Sequence, residues 1–194
     1  MTYDDLKKQI ASFMGRKDLV DQIPGFIDLC EAALNNNPDF RVRGMVCKLD
    51  VELTGNELGL PEDYLGMRML RHESGKEIPE VSPQRLATVR ACHDSNAYVD
   101  LGDRLEFAGA GDKTPLELFC YRRIPPLTDT DQTNWLLKQN SAIYLYGSLL
   151  EATEYVKDGA RIQIWMQRYA GAVDGLVAAD KRSRWSGPLK VSIE

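Results

Sequence analysis

The spacing of apolar residues changes three times along this chain, and each change predicts a different kind of element. Tyr3, Leu6, Ile10, Phe13 and Met14 recur at helical intervals. Thr2 precedes them as an N-cap, Asp5 stands three residues on to complete a capping box, and Gly15 closes the segment. A second helix follows, with Pro24 in its first turn and a stripe of Ile23, Phe26, Ile27, Cys30, Ala33 and Leu34. The run Asn35-Asn36-Asn37-Pro38 stops it. From Val42 the period shortens to two. Met45, Cys47, Leu49, Val51 and Leu53 alternate with charged residues, which predicts a half-buried strand. A turn at Thr54-Gly55-Asn56 leads to a short return at Leu58-Gly59-Leu60, and residues 65–70 read as another strand. Ser82 and Pro83 open a short helix to Cys92. Three further strands, 97–101, 104–107 and 116–121, are separated by Gly- and Asp-containing turns.

Residues 134–180 return to the helical period and predict two helices joined by a tight turn at Lys157-Asp158-Gly159. In the first, Ala142, Leu145, Tyr146, Leu149, Ala152, Thr153 and Val156 share one stripe, while Ile143, Tyr144 and Leu150 fall outside it. A helix apolar on more than one side is either central to its domain or pressed against another subunit. The polar residues Gln139, Asn140, Ser141, Gly147 and Ser148 make this run too short to span a bilayer, which takes about 20 apolar residues. The second helix, with Asp158 as its expected cap, carries Ile162, Trp165, Met166, Tyr169, Val173, Leu176 and Val177 on one stripe. Ile143, Tyr144, Leu149, Leu150, Glu151, Trp165 and Tyr169 are therefore expected to serve core or inter-protomer packing. Glu151, on the rim of the apolar surface, is either an intersubunit ion-pair partner or part of a solvated face.

The expected fold class is α+β. A bundle made of the N-terminal helices (1–40) and a C-terminal hairpin (128–182) flanks a mostly antiparallel β-rich insert with one short helix (41–127). An extended tail, 183–194, closes the chain. In that tail the basic Lys181, Arg182 and Arg184 precede Trp185, Pro188 breaks any helix, and Leu189, Val191 and Ile193 alternate. Such alternation suits a strand that pairs with another sheet edge.

Composition narrows the chemistry. A 194-residue chain with 43% hydrophobic and 27% charged residues supports a good core. A net charge of −5 argues against a dedicated nucleic-acid binder, though it is no obstacle to contact with passing DNA, since an acidic wall repels phosphates. No basic-apolar-small pattern follows Met1, so no signal peptide is expected. Cys30, Cys47, Cys92 and Cys120 are scattered among apolar neighbours, which predicts free buried thiols. The stretch from Gly109 to Thr114 superficially resembles a phosphate loop. However, Asp112 precedes Lys113, Pro115 follows, and strands lie on both sides, so a hairpin loop is expected. Cys92-His93 and His72 do not supply four converging zinc ligands, and neighbours at a helix end point apart rather than forming a nucleophile–base pair. No cofactor and no metal are expected.

Four stretches carry a family resemblance: IPGFIDLCEAAL with RVRGM (23–45), LPEDYLGMR (60–68), LELFCYRRIPPLTDTDQTNWLL (116–137) and YLYGSLLEATEYVKD (144–158). In their order and spacing the chain resembles the adaptor, or head–tail connector, proteins of tailed bacteriophages. Gly44 and Cys30 depart from that pattern, where other members commonly carry a charged residue and alanine. The resemblance implies a structural virion protein: a ring, typically of twelve copies, beneath the portal protein. Such a ring extends the DNA channel, touches the genome transiently and offers a docking surface to tail or nozzle proteins. It also implies that the tail residues Arg182, Arg184, Trp185, Pro188, Leu189, Val191 and Ile193 reach the portal. A small hydrolase built on Cys92 and His93, or a DNA-binding accessory protein, are the other classes weighed. The first lacks a convergent constellation and the second is disfavoured by charge.

Overall fold

In the computed structural model, which describes residues 1–16, 18–92, 96–109 and 111–184, the chain is α+β and divides into two compact units. One is helical and comprises residues 1–44 and 124–184; the other, residues 45–123, is built on strands.

The helical unit starts with α1 (Tyr3–Met14). Thr2 Oγ1 accepts from the Asp5 N–H at 3.2 Å and the Asp5 carboxylate accepts from the Thr2 N–H at 3.0 Å, so the expected capping box is formed. Gly15 ends the helix in the left-handed conformation at φ 65°. In α2 (Ile23–Asn36) the buried face holds Ile23, Phe26, Ile27, Cys30 and Leu34, but it also holds Glu31 and Asn35. Ala33, expected on that stripe, faces solvent. The first helix of the predicted hairpin is two helices, α4 (Trp135–Gln139) and α5 (Ser141–Val156). They break at Asn140, whose backbone leaves the helical region at φ −150° and ψ 80°. Its side chain donates instead to the Ala172 carbonyl at 3.3 Å. The next helix, α6 (Gly159–Arg184), follows a turn in which Lys157 takes the left-handed conformation at φ 57°. Asp158, expected as a cap, pairs its carboxylate with Arg161 at 3.5 Å.

α5 is the centre of this unit. Ile143, Tyr144, Leu145, Gly147, Ser148, Leu149, Ala152 and Thr153 are all buried, positions that go right round the helix. Gly147 is required by this closeness. A Cβ there would stand 2.3 Å from Cys30 Sγ on α2 and 2.9 Å from the Tyr169 ring on α6.

In the other unit, two antiparallel three-stranded sheets share one core. β1 (Val46–Glu52), β6 (Pro115–Arg122) and β3 (Tyr64–His72) form the first in the order β1-β6-β3. β2 (Glu57–Gly59), β5 (Arg104–Ala108) and β4 (Ala97–Asp100) form the second in the order β2-β5-β4. The short return after β1 therefore pairs with β5 in the other sheet. β5 belongs to one sheet and β6 to the other, so the connection between them is not the expected hairpin loop. It is tied down by Lys113 N–H donating to the Leu53 carbonyl at 3.0 Å and by Asp112 accepting from the Gly55 N–H at 2.8 Å. The shared core contains Leu58, Leu70, Tyr98, Leu105, Phe107, Leu116, Leu118 and Cys120. The other face of β4 and β5 is covered by α3 (Pro83–Cys92), where Leu86 and Val89 meet Ala97, Val99 and Ala108. Tyr64 Oη donates to Asp100 at 2.5 Å and joins the two sheets at one end.

Leu149 is 1% exposed in the single chain. Leu149→Asp buries an unpaired charge at the centre of the bundle and is expected to cost about 4 kcal/mol. Circular dichroism and urea titration should show lost helicity; a fully folded variant that merely fails to associate would place Leu149 on an outer face instead.

Candidate assembly surface and its buried anchor

The segment that re-enters the helical unit, from Ile124 to Asn134, is held by polar side chains on α2 and α5. Asn35 Oδ1 accepts from the Ile124 N–H at 3.0 Å. Glu31 Oε1 accepts from the Leu127 N–H at 3.1 Å and from the Tyr144 hydroxyl at 2.8 Å. The Asn134 amide donates to the Pro125 carbonyl at 2.7 Å and to Tyr144 Oη at 2.6 Å, while its oxygen caps α4 by accepting from the Leu137 N–H at 2.8 Å. Outside this network Gln132 accepts from the backbone N–H groups of Tyr3 and Asp4, and Lys7 pairs with Asp129 at 2.8 Å. A proline-rich segment has few donors of its own, so these side chains do the pairing that a regular element would do through its backbone.

Glu31 is 6% exposed, and burial raises its carboxyl pKa to about 7 despite the two donors that favour the charged form. The Tyr144 hydroxyl is pushed up as well, first by burial and then by the neighbouring Glu31 charge. This network is absent from the sequence reading, yet it had a signal. Position 31 falls between Ile27 and Leu34 on the apolar face of α2, where a carboxylate has no reason to be unless it is bonded.

On the outside of the bundle an aromatic patch joins α1, α5 and α6. Tyr146 stacks on Trp165 with centroids 6.0 Å apart, Phe13 meets Trp165 edge-on at 6.1 Å, and the Arg168 guanidinium lies 5.6 Å from the Tyr146 centroid. Beside it a cleft of about 240 Å³ is lined by Phe13, Met14, Leu19, Leu149, Val156 and Trp165, with Arg16, Asp158 and Arg161 on its rim. Phe13, Ile164 and Met166 are between 43% and 49% exposed, apolar side chains left uncovered by the single chain.

The expected packing residues separate into two sets. Ile143, Tyr144 and Leu149 are enclosed within the bundle. Leu150, Glu151, Trp165 and Tyr169 are half-buried, and Glu151 has its carboxyl pKa raised by partial burial and by the like charge of Glu154. Arg182 is exposed on the last turns of α6 and Arg184 ends that helix. Trp185, Pro188, Leu189, Val191 and Ile193 lie outside the described residues, as does His93. The helix leading to them is anchored: the buried Asp180 accepts from the Arg43 backbone N–H at 3.1 Å and from its guanidinium at 2.9 Å. Next to it the bare Gly44 lies under Trp135, where a Cβ would stand 2.5 Å from the indole. That contact explains why a larger residue is not accommodated at this position without moving Trp135. His72 is engaged with the Asn96 side chain at 2.6 Å. Among the described residues no three His, Cys, Asp or Glu side chains converge as metal ligands, and no helix is long and apolar enough to cross a membrane.

Compared with known proteins, the chain is matched over residues 1–192 by the family model described as SU10 adaptor protein. No curated protein matches it.

The raised Glu31 pKa sets a direction for stability against pH. Folding favours the protonated carboxyl, so its contribution is complete below the ordinary value of 4.5 and is lost as pH rises through about 7. Glu31→Gln keeps an acceptor for the Leu127 N–H and the Tyr144 hydroxyl. Its thermal midpoint should equal that of the parent at pH 4.5 and exceed it by several degrees at pH 8.5; equal midpoints at both would show that Glu31 is not held neutral.

Proposed function

The chain belongs to the SU10 adaptor protein family, and from that premise we propose that this bacteriophage structural protein assembles as a ring, of about twelve copies, between the portal and the tail. The family match across nearly the whole chain carries the reading. In it the ring extends the DNA channel beneath the portal, its net charge of −5 lets the passing genome slide without binding, and its lower face receives tail or nozzle proteins.

Two surfaces are assigned roles. The patch of Phe13, Tyr146, Trp165 and Arg168, together with the exposed Met166 on the same helix α6, meets the neighbouring protomer; its aromatic, Met and Arg content is that of a protein–protein interface rather than of a solvated face. The segment from Arg182 onward contacts the portal, with Arg182 and Arg184 as charges, Trp185 as an aromatic anchor, and Leu189, Val191 and Ile193 as the alternating face of an added strand. The Arg43–Asp180 pair supports this role by fixing the helix from which that segment leaves.

Electron microscopy of the purified protein mixed with portal rings tests the ring directly: a second ring stacked on the portal is the expected product, and bare portals overturn the reading. Deleting residues 187–194 should leave the circular dichroism spectrum unchanged and abolish portal binding; unimpaired binding would remove the tail from the contact. Met166→Asp, at an exposed position, should keep the thermal midpoint within a few degrees while ring closure is lost.

A further inference from the structure

Cys47 and Cys120 are far apart in sequence but are direct cross-strand partners between β1 and β6. Directly opposed residues of an antiparallel pair project to the same face, with Cβ atoms about 4.5–5.5 Å apart, within reach of the distances that a disulfide bridges with small adjustments. Both thiols are free. They differ in access. Cys120, on the central strand, is 0% exposed and sits in the shared core. Cys47 is half-buried on β1, an edge strand, packed against the same core and with the Arg122 guanidinium 3.8 Å from its sulfur. Burial raises the Cys120 thiol to about 11, which suits a thiol that waits inside the sheet for a partner to be activated.

We propose that Cys47 and Cys120 are a cross-strand thiol pair that oxidises to an intrachain disulfide, stapling the first and last strands of the β unit. With a small-molecule disulfide as oxidant, the Cys47 thiolate attacks one of its sulfurs, forms a mixed disulfide and releases one small thiolate. Cys120 then loses its proton to solvent and attacks the Cys47 sulfur. The second small thiolate leaves and is protonated. In sum, two protein thiols give up two protons and two electrons, the small disulfide becomes two thiols, and one S–S bond forms within the sheet. The position gives the bond its effect. The β unit runs from residue 45 to residue 123, so a bridge between 47 and 120 closes almost the whole unit into one loop at the point where the chain enters and leaves it. The chemistry stands on the strand register alone. Its occasion, passage from a reducing cell interior to an oxidising exterior, rests on the phage-adaptor reading.

The test uses the full-length protein, purified reduced and incubated with oxidised glutathione. The expected result is a monomer on a non-reducing gel, two thiols lost, a mass decrease of about 2 Da, and a bond joining the peptides that hold Cys47 and Cys120. The thermal midpoint should rise by roughly 10 °C and fall back on reduction, and disulfide formation should be faster at higher pH, as a buried resolving thiol requires. Cys47→Ser, an edge position tolerant of the change, should keep the fold and lose the bridge. Four surviving thiols, a glutathione adduct on Cys47 that never resolves, a bond to Cys92, or a covalent dimer would each overturn the proposal. None of those outcomes bears on whether the protein forms a ring.

Discussion

Everything in the helical unit depends on how closely α2 and α6 approach α5 at Gly147. Because the residue has no Cβ, Cys30 and Tyr169 come into van der Waals contact with the helix backbone, one from each neighbouring helix. Interiors packed at crystal-like density do not absorb an extra methyl group at such a point without moving a helix. Once these three helices are fixed, the positions of the others follow. α1 lies where Phe13 can reach Trp165, α4 must leave the line of α5 at Asn140, and the segment before it has to cross α2.

That crossing explains the buried polar groups. A connector containing Pro125 and Pro126 makes no ladder of its own, yet Ile124 and Leu127 carry it into the core. Its backbone N–H groups would be orphaned there at a cost of about 1–3 kcal/mol each. Glu31 and Asn35 answer two of them, and Tyr144 and Asn134 close the network around the carboxyl. The price is a carboxyl whose charge is disfavoured, which couples the stability of the bundle to pH.

Elements whose signal is local were legible in the sequence. The Thr2–Asp5 box, the Gly15 stop and the Ser82-Pro83 start depend on residues within a few positions of one another, and the structure has them where their spacing predicts; the alternating strand is also there, but begins at Val46 after a 3-10 turn at Arg43–Met45. What escaped the sequence depends on partners distant in the chain. Glu31 and Asn35 looked like ordinary polar residues because their partners lie at 124, 127 and 144. The Asn140 break depends on a carbonyl on α6, and β2 looks like the return arm of a hairpin until β5 is present to claim it. The pairing of Cys47 with Cys120 is invisible to any spacing rule, since only the register of β1 on β6 brings them together.

The excess apolar surface of α5 first suggested a helix that serves both its own core and a neighbouring subunit. Much of that surface is taken up within the chain itself: α1, α2, α4 and α6 pack against it and Ile143, Tyr144 and Leu149 are buried, while Tyr146, Leu150 and Tyr155 keep exposed surface. On the proposed ring reading, a subunit contact would lie one layer further out. There the first half of α6 carries Ile164, Met166 and the Trp165 edge beside Phe13, with Arg168 laid over Tyr146. Separating the two layers has a physical advantage for an assembling protomer. On the proposed ring reading, an inner layer of this kind would hold the fold of each protomer, and a partly apolar outer layer would add affinity without exposing a core.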